Sequence, residues 1–318
     1  MRKQRLFISL FMCLLLLPAA GHAEEYAFIL GNGPYWSIVE QGIKNVPGSS
    51  GAVIYRPDAQ ISAAELDLCR NIIQRSPRFL GVAAINPNVS GQCLKLAADA
   101  GIAVGDLGGA VAVDDAKKQD YHLAYTLSAD SKDAGAALAD YLKSVETRPV
   151  IKLLIIGGSE ENEIERDYID GFKSRLKQSI PGAIISAPLY TDGDTSKARG
   201  VVAGALASVP DIDVIFASDG AAALGASDAV RATGRGMKIK ILCVGGSPEV
   251  RKAITDGYIL ASDTQLPYLM GKRAMELAIE TGQRGGTAPV DMQETIPILI
   301  LNKNTLSSNN NPLVQYLR

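Results

Sequence analysis

DIDVIFASDGAAALGASDAVRATGRGMKIKILCVGGSPEVRKAITDGYILASDTQLPY, residues 211–268, is the stretch that decides the fold. An apolar run at 214–217 precedes a helical pattern ending at Gly234. A second run at 239–244 precedes another helical pattern ending at Gly257, and a third run follows at 259–261. Runs this short, each followed by a turn and a helix, read as β-α-β-α-β with parallel strands buried on both faces. Ligands of such sheets bind beyond the carboxyl ends of the strands. The residues to read are therefore Ser218 and Asp219, then Gly245 to Ser247, then Asp263 to Gln265.

Upstream the same alternation appears twice more. Strands are predicted over 26–31, 52–55, 79–85 and 102–104, with helices over about 35–45, 62–75 and 90–100, where Leu66, Cys69, Ile72 and Ile73 fall at helical spacing behind a capping Ser62. After 122–127 the pattern restarts with a helix over 132–145, a strand over 150–157, an acidic loop at 159–165, a helix over 166–177, a strand over 183–189 and a helix over 195–208. Downstream of Gln265 come a helix, a Gly-rich turn at 282–286, a closing strand over 296–301 and a polar tail. The chain therefore reads as α/β, with two Rossmann-like lobes built on parallel sheets.

The first 23 residues read as a secretory leader. Arg2, Lys3 and Arg5 precede an apolar block at 6–17, and Gly21-His22-Ala23 is a small-x-small site that places cleavage after Ala23. The block is shorter than the roughly 20 residues a membrane span needs. Loss of those three basic residues takes 32 to 29 against 34 acids, a formal charge of −5. A mildly acidic chain without Lys/Arg clusters does not point to nucleic acid. Three cysteines remain, so at least one is unpaired within the chain. Cys69 and Cys93 lie on consecutive helices over one sheet face and read either as a disulfide or as two small buried thiols, and Cys243 reads as core. No cysteine spacing resembles a zinc site, and no metal or cofactor is expected.

The segment from Ser218 to Pro267 resembles the C-terminal half of the ribose-type periplasmic binding proteins and the related LacI-type regulator cores. The marks are a polar residue before a small-residue helix with Leu224-Gly225, Gly246-Ser247-Pro248 after the next strand, Asp256-Gly257, and Gln265-Leu266-Pro267. The resemblance extends over nearly all of the mature chain. It implies a first lobe of 24–127 plus 266–294, a second lobe of 128–265 plus 295–318, and hinges near Leu127, Leu266 and Glu294. It also implies a monomer that delivers a small polar ligand to an ABC-type permease from the periplasm.

Candidate ligand-binding residues follow from the same comparison. Tyr35 and Trp36 stand where sugar-binding relatives place two rings, and an aromatic face suits either a pyranose or a cationic group. Trp36 has the alternative of packing under its own loop. Arg166 aligns with an arginine that reaches the ligand, or else it pairs with the neighbouring acids. Asp219 and Gln265 align with an Asn and a Gln that bond sugar hydroxyls, and Asp219 also suits a helix N-cap. Asp130 joins Asp219, Asp263 and the Glu161/Glu163 loop as acids that would favour a cationic or zwitterionic ligand, if they face the cleft rather than solvent. Tyr190 is a candidate lid.

The departures are as informative. The relatives' Asp-Arg pair is replaced by Gly108-Gly109, an Asp before the Gly-Thr-Pro turn by Gly245, an Asn of the first loop by Gly33, and a second-lobe aromatic by Thr195. Two charged anchors for hydroxyl pairs are absent, which weighs against an ordinary hexose or pentose.

Beyond the leader only His122 remains as a possible imidazole base, and no nucleophile elbow, dinucleotide fingerprint or phosphate loop is complete. The reading is a binder and not an enzyme. Its alternative is a periplasmic sensory module that docks on a membrane histidine kinase. A repressor core is excluded by the leader and by the lack of a helix-turn-helix.

Overall fold

In the computed structural model the described residues are 25–57, 62–83, 87–235, 238–283, 291–307, 313, 314 and 317, so the leader lies outside them. The first part of the chain is β1 (Tyr26–Ile29), α1 (Pro34–Lys44), β2 (Ala52–Tyr55), α2 (Ser62–Ile73), β3 (Phe79–Ala83), α3 (Pro87–Asp99), β4 (Ala103–Leu107), α4 (Val113–Lys118) and β5 (Tyr125–Ser128). The second is α5 (Ser131–Val145), β6 (Lys152–Gly157), α6 (Glu163–Ser179), β7 (Ile184–Tyr190), α7 (Thr195–Ser208), β8 (Val214–Ala217), α8 (Gly220–Ala232), β9 (Lys240–Val244), α9 (Pro248–Asp256) and β10 (Ala261–Thr264). It closes with α10 (Pro267–Gln283), β11 (Met292–Thr295), β12 (Leu299–Asn302) and α11 (Lys303–Ser307).

Two six-stranded sheets result, ordered β11-β5-β4-β3-β1-β2 and β12-β10-β9-β8-β6-β7. Strand pairs are parallel throughout, except that β12 runs antiparallel to β10. Alternate residues of each strand feed opposite faces, as expected of strands covered on both sides. In the first sheet Ala27, Ile29, Leu80 and Val82 pack on Cys69 and Ile72 of α2 and Leu94 of α3. Phe28, Phe79, Leu107 and Tyr125 face Val39 and Ile43 of α1 and Met270 and Ala274 of α10. The second sheet divides in the same way, with Ile155 and Phe216 against Leu138 and Phe172, and Ile215 and Ile241 against the α7–α8 layer.

Several predicted boundaries move. The strands read at 102–104 and 259–261 continue to Leu107 and Thr264, so Asp106 and Asp263 belong to strands and are fully buried. The closing segment is two strands, one in each sheet, with β11 on β5 and β12 on β10. The chain consequently passes between the sheets three times, after Ser128, Thr264 and Thr295.

In each half, the helix after the first strand crosses the helix arriving from the other half at a pair of glycines. A Cβ on Gly42 of α1 would strike the Tyr268 carbonyl, and one on Gly271 of α10 the Val39 carbonyl. Gly135 of α5 and Gly171 of α6 meet Tyr168 and Lys132 in the same manner. These crossings set the spacing between the helix N-termini that hold the cleft. Gly171→Ala is expected to cost about 1–3 kcal/mol, because backbone crowding outweighs the roughly 1 kcal/mol by which alanine is the better helix former. Denaturant unfolding measures it, and a gain in stability would refute the close crossing.

Candidate functional site

Both sheets have the order 2-1-3-4-5 in their own strand count, which opens a crevice where the order reverses, beyond β1/β3 and β6/β8. The two crevices face each other across a cleft of about 830 Å³, a size suited to a small molecule. Its walls come from the start of α1 (Tyr35, Trp36, Ile38), the glycines after β4 (Gly108, Gly109), the start of α6 (Ile164, Glu165, Asp167, Tyr168) and the strand ends at Ser218, Val244–Gly246 and Asp263. The crossings contribute Ser128, Ala129, Asp130, Ser131 and Gln265.

On the first wall α1 starts at Pro34, immediately after Gly33, whose φ of 104° favours glycine. Trp36 is half-buried, its indole lying over Gly31, where any side chain would collide with the ring. Tyr35 meets Trp36 edge-to-face at 5.0 Å and points its hydroxyl at Met270 Sδ, 3.7 Å away. Burial pushes the Tyr35 phenol up to about 12. Arg56 fastens this wall: it donates to the Gly31 and Trp36 carbonyls and pairs with Glu40 at 2.8 Å.

The opposite wall turns on Glu165. Its carboxylate accepts from Gly158 N (2.7 Å), Ser159 N (3.2 Å), Asn162 Nδ2 (3.0 Å) and Ser218 Oγ (2.6 Å), joining the ends of β6 and β8. Behind it Asp219 caps α8 through Ala222 N at 2.8 Å, while its second oxygen is buried without a partner. Desolvation first, and the nearby Glu165 charge after the helix N–H contribution, leave the Asp219 carboxyl raised. Asp130 caps α5 through Asp133 N. Gln265 donates to the Tyr168 hydroxyl at 3.4 Å, linking a crossing to the second wall. Burial pushes the Asp263 carboxyl up to about 7.

Of the seven residues singled out from sequence, Tyr35, Trp36, Asp130 and Gln265 come together in the cleft. Arg166, Tyr190 and Asp219 do not line it. Arg166 is exposed and donates to the Glu160 carbonyl at 2.7 Å, because two helical residues turn it about 200° from Tyr168, which faces the cleft in its place. Tyr190 covers Gly157 from the edge strand β7. Asp219 lies one residue past the lining Ser218, turned into its cap. Sequence reading passed over Tyr168, Ser128 and Ser131. Tyr168 had a signal, since it belongs to the buried stripe Tyr168, Ile169, Phe172, Leu176.

Two facing α/β lobes with three chain crossings and a small-molecule cleft between them make a hinged ligand-binding clamp of the type I periplasmic architecture. The chain belongs to the family described as periplasmic binding protein domain, whose model matches residues 28–285. It is 27% identical over 253 residues to the ribose import binding protein of Salmonella typhimurium, covering 78% of this chain and 80% of that protein. It is 22% identical over 283 residues to the D-allose-binding periplasmic protein of Escherichia coli, covering 87% and 91%. Among solved structures, a sugar-binding protein of a Bacillus halodurans sugar ABC transporter superposes with a TM-score of 0.75 at 18% identity, covering 92% and 99% of the two chains. A periplasmic solute-binding protein of Actinobacillus succinogenes with bound D-allose gives 0.72 at 18%, covering 88% and 98%.

Proposed function

We propose that this chain is an exported solute-binding protein that closes two lobes over a small polyhydroxylated ligand for delivery to an ABC-type permease. The observation that carries the reading is the cleft itself. An aromatic pair stands on one wall, hydroxyls and carboxylates stand on the other, and the residues of two chain crossings lie between them. The lobes divide at the crossings after Ser128, Thr264 and Thr295, close to the bounds of 24–127 plus 266–294 and 128–265 plus 295–318, so that bending there moves one wall toward the other. Ile164, 59% exposed at the rim of the second wall, would be covered on closure. A leader cut after Ala23 puts the protein in the periplasm, and the Cys69–Cys93 bridge suits that oxidising compartment. It acts as a monomer.

The relatives are named for import and binding, which favours transport over docking on a sensor kinase. Catalysis forms no part of the reading: His122 is exposed and paired with Asp291 at 3.2 Å, and it is absent from the cleft lining. A thermal-shift screen of D-ribose, D-allose, other sugars, polyols and their amino derivatives tests it. A ligand at a hundred times its dissociation constant should add about 2.7 kcal/mol of stability. A melt unmoved by every compound would refute the proposal.

A further inference from the structure

The lining narrows the ligand class further, on the premise of the solute-binding reading. Four acids line the cleft, Asp130, Glu165, Asp167 and Asp263, and no Lys, Arg or His stands among the described lining residues. Asp130 is engaged as a cap, Glu165 by four donors, and Asp167 is exposed. Asp263 differs from all three. It is 0% exposed at the end of β10, and its carboxylate has only neutral neighbours, the Tyr168 hydroxyl and the Gly245 N–H, with no cation paired to it.

A buried carboxylate without a counter-charge is among the most unfavourable groups a protein can hold, and such groups are ordinarily paired. The groups facing Asp263 are the Tyr168 hydroxyl from α6 and the Gly245 N–H after β9, while the Cys243 thiol of β9 lies on the opposite face of the sheet. Ser131 of α5 bonds the same Tyr168 hydroxyl, and Val244 and Ile300 flank Asp263 in register on β9 and β12. None is a cation. Burial raises both Tyr168 and Cys243, so neither ionises near neutrality. Cys243 feels the Asp219 carboxyl as well as that of Asp263, so two acids stand at this end of the sheet. Space for a partner exists on the cleft side, where a Cβ on Gly245 would meet nothing within 4 Å.

We propose that the cleft takes a polyhydroxylated ligand bearing a protonated amine, an amino sugar or aminopolyol, and that Asp263 receives its ammonium group. The pH dependence has a definite sign. An ammonium ion needs the Asp263 carboxyl ionised, and burial pushes that carboxyl up to about 7. Affinity therefore falls as pH drops through this value, about tenfold from pH 8 to pH 6 for one proton. A neutral ligand shows no such loss.

Calorimetric titration of the mature chain with D-glucosamine and 1-amino-1-deoxy-D-sorbitol, against D-glucose and D-sorbitol, tests the assignment. The amines are expected to bind at least tenfold more tightly than their parents. Asp263→Asn should erase that preference while its unliganded melt at pH 7 stays level or rises, and the tenfold pH effect on the sorbitol amine should disappear with it. Parents that bind as tightly as their amines, or a preference that survives Asp263→Asn, overturn the amine assignment and leave the solute-binding reading in place. Silence from all four compounds overturns the amine assignment, and a thermal-shift screen flat for every compound overturns the solute-binding reading with it.

Discussion

Trp36→Ala is expected to weaken ligand binding by about 30- to 1000-fold while leaving most of the unliganded stability intact. The range follows from the roughly 2–4 kcal/mol typical of a tryptophan truncated at the centre of a binding surface. Trp36 fits that role on three counts: it stands on a cleft wall, it is only half-buried in the free protein, and Gly31 beneath it and Tyr35 beside it hold the ring in one orientation. A fully buried tryptophan replaced by alanine costs about 3–5 kcal/mol. Trp36 has part of its face open, so the free protein should lose clearly less. Trp36→Phe keeps an aromatic face and should restore most of the affinity. Because Trp36 is the one tryptophan of the chain, its fluorescence reports binding directly. Retained affinity with a stability loss near the full-burial figure would assign Trp36 to the core and detach the aromatic wall from recognition.

The strands and their order were legible because parallel strands covered on both faces show as short apolar runs, and most of those runs are where the sequence put them. What escaped notice were strand ends that carry charge. Asp106 and Asp263 each end an apolar run to the eye, yet each continues the backbone ladder, pairing in register with Thr126 and Val244. The polarity that marks a loop elsewhere marks the carboxyl end of a buried strand here. Both carboxyls are raised to about 7 by burial. β11 was missed for the opposite reason. It is an edge strand of alternating Met292, Gln293, Glu294 and Thr295, with half its residues exposed and no apolar run to announce it.

The site was half legible. The aromatic rings and the glutamine were placed by the family resemblance at strand-to-helix junctions, while Arg166 was carried over by the same alignment without regard to helical phase. Glu165, Tyr168, Ile169 and Phe172 follow i, i+3, i+4, i+7 spacing, and Arg166 lies off that stripe. Asp219 shows a different limit: a helix cap and a ligand contact call for the same residue type at the same place, and only the observed bond to Ala222 N shows which job its Oδ1 performs.

Removing the Cys69–Cys93 disulfide by the double change Cys69→Ala and Cys93→Ala should cost about 3.5 kcal/mol, the loop-closure estimate for the 24-residue separation of the two cysteines. The bridge joins α2 to α3 on the outer face of the first sheet, within the cluster of Ile72, Leu80 and Leu94, and away from every cleft-lining residue. The variant should therefore melt lower with ligand affinity unchanged, and its denaturant slope should rise because the unlinked unfolded chain exposes more surface. Reductant added to the native protein should do little, as both cysteines are 0% exposed. Cys243 supplies the internal control: it is free and buried, and burial pushes its thiol up to about 12. An alkylating reagent should label no cysteine of the native mature chain, Cys243 alone after unfolding, and Cys69 and Cys93 in addition only when reductant accompanies unfolding. Labelling of all three on unfolding without reductant, or a double variant as stable as the parent, would remove the bridge from the forces that hold the first lobe together.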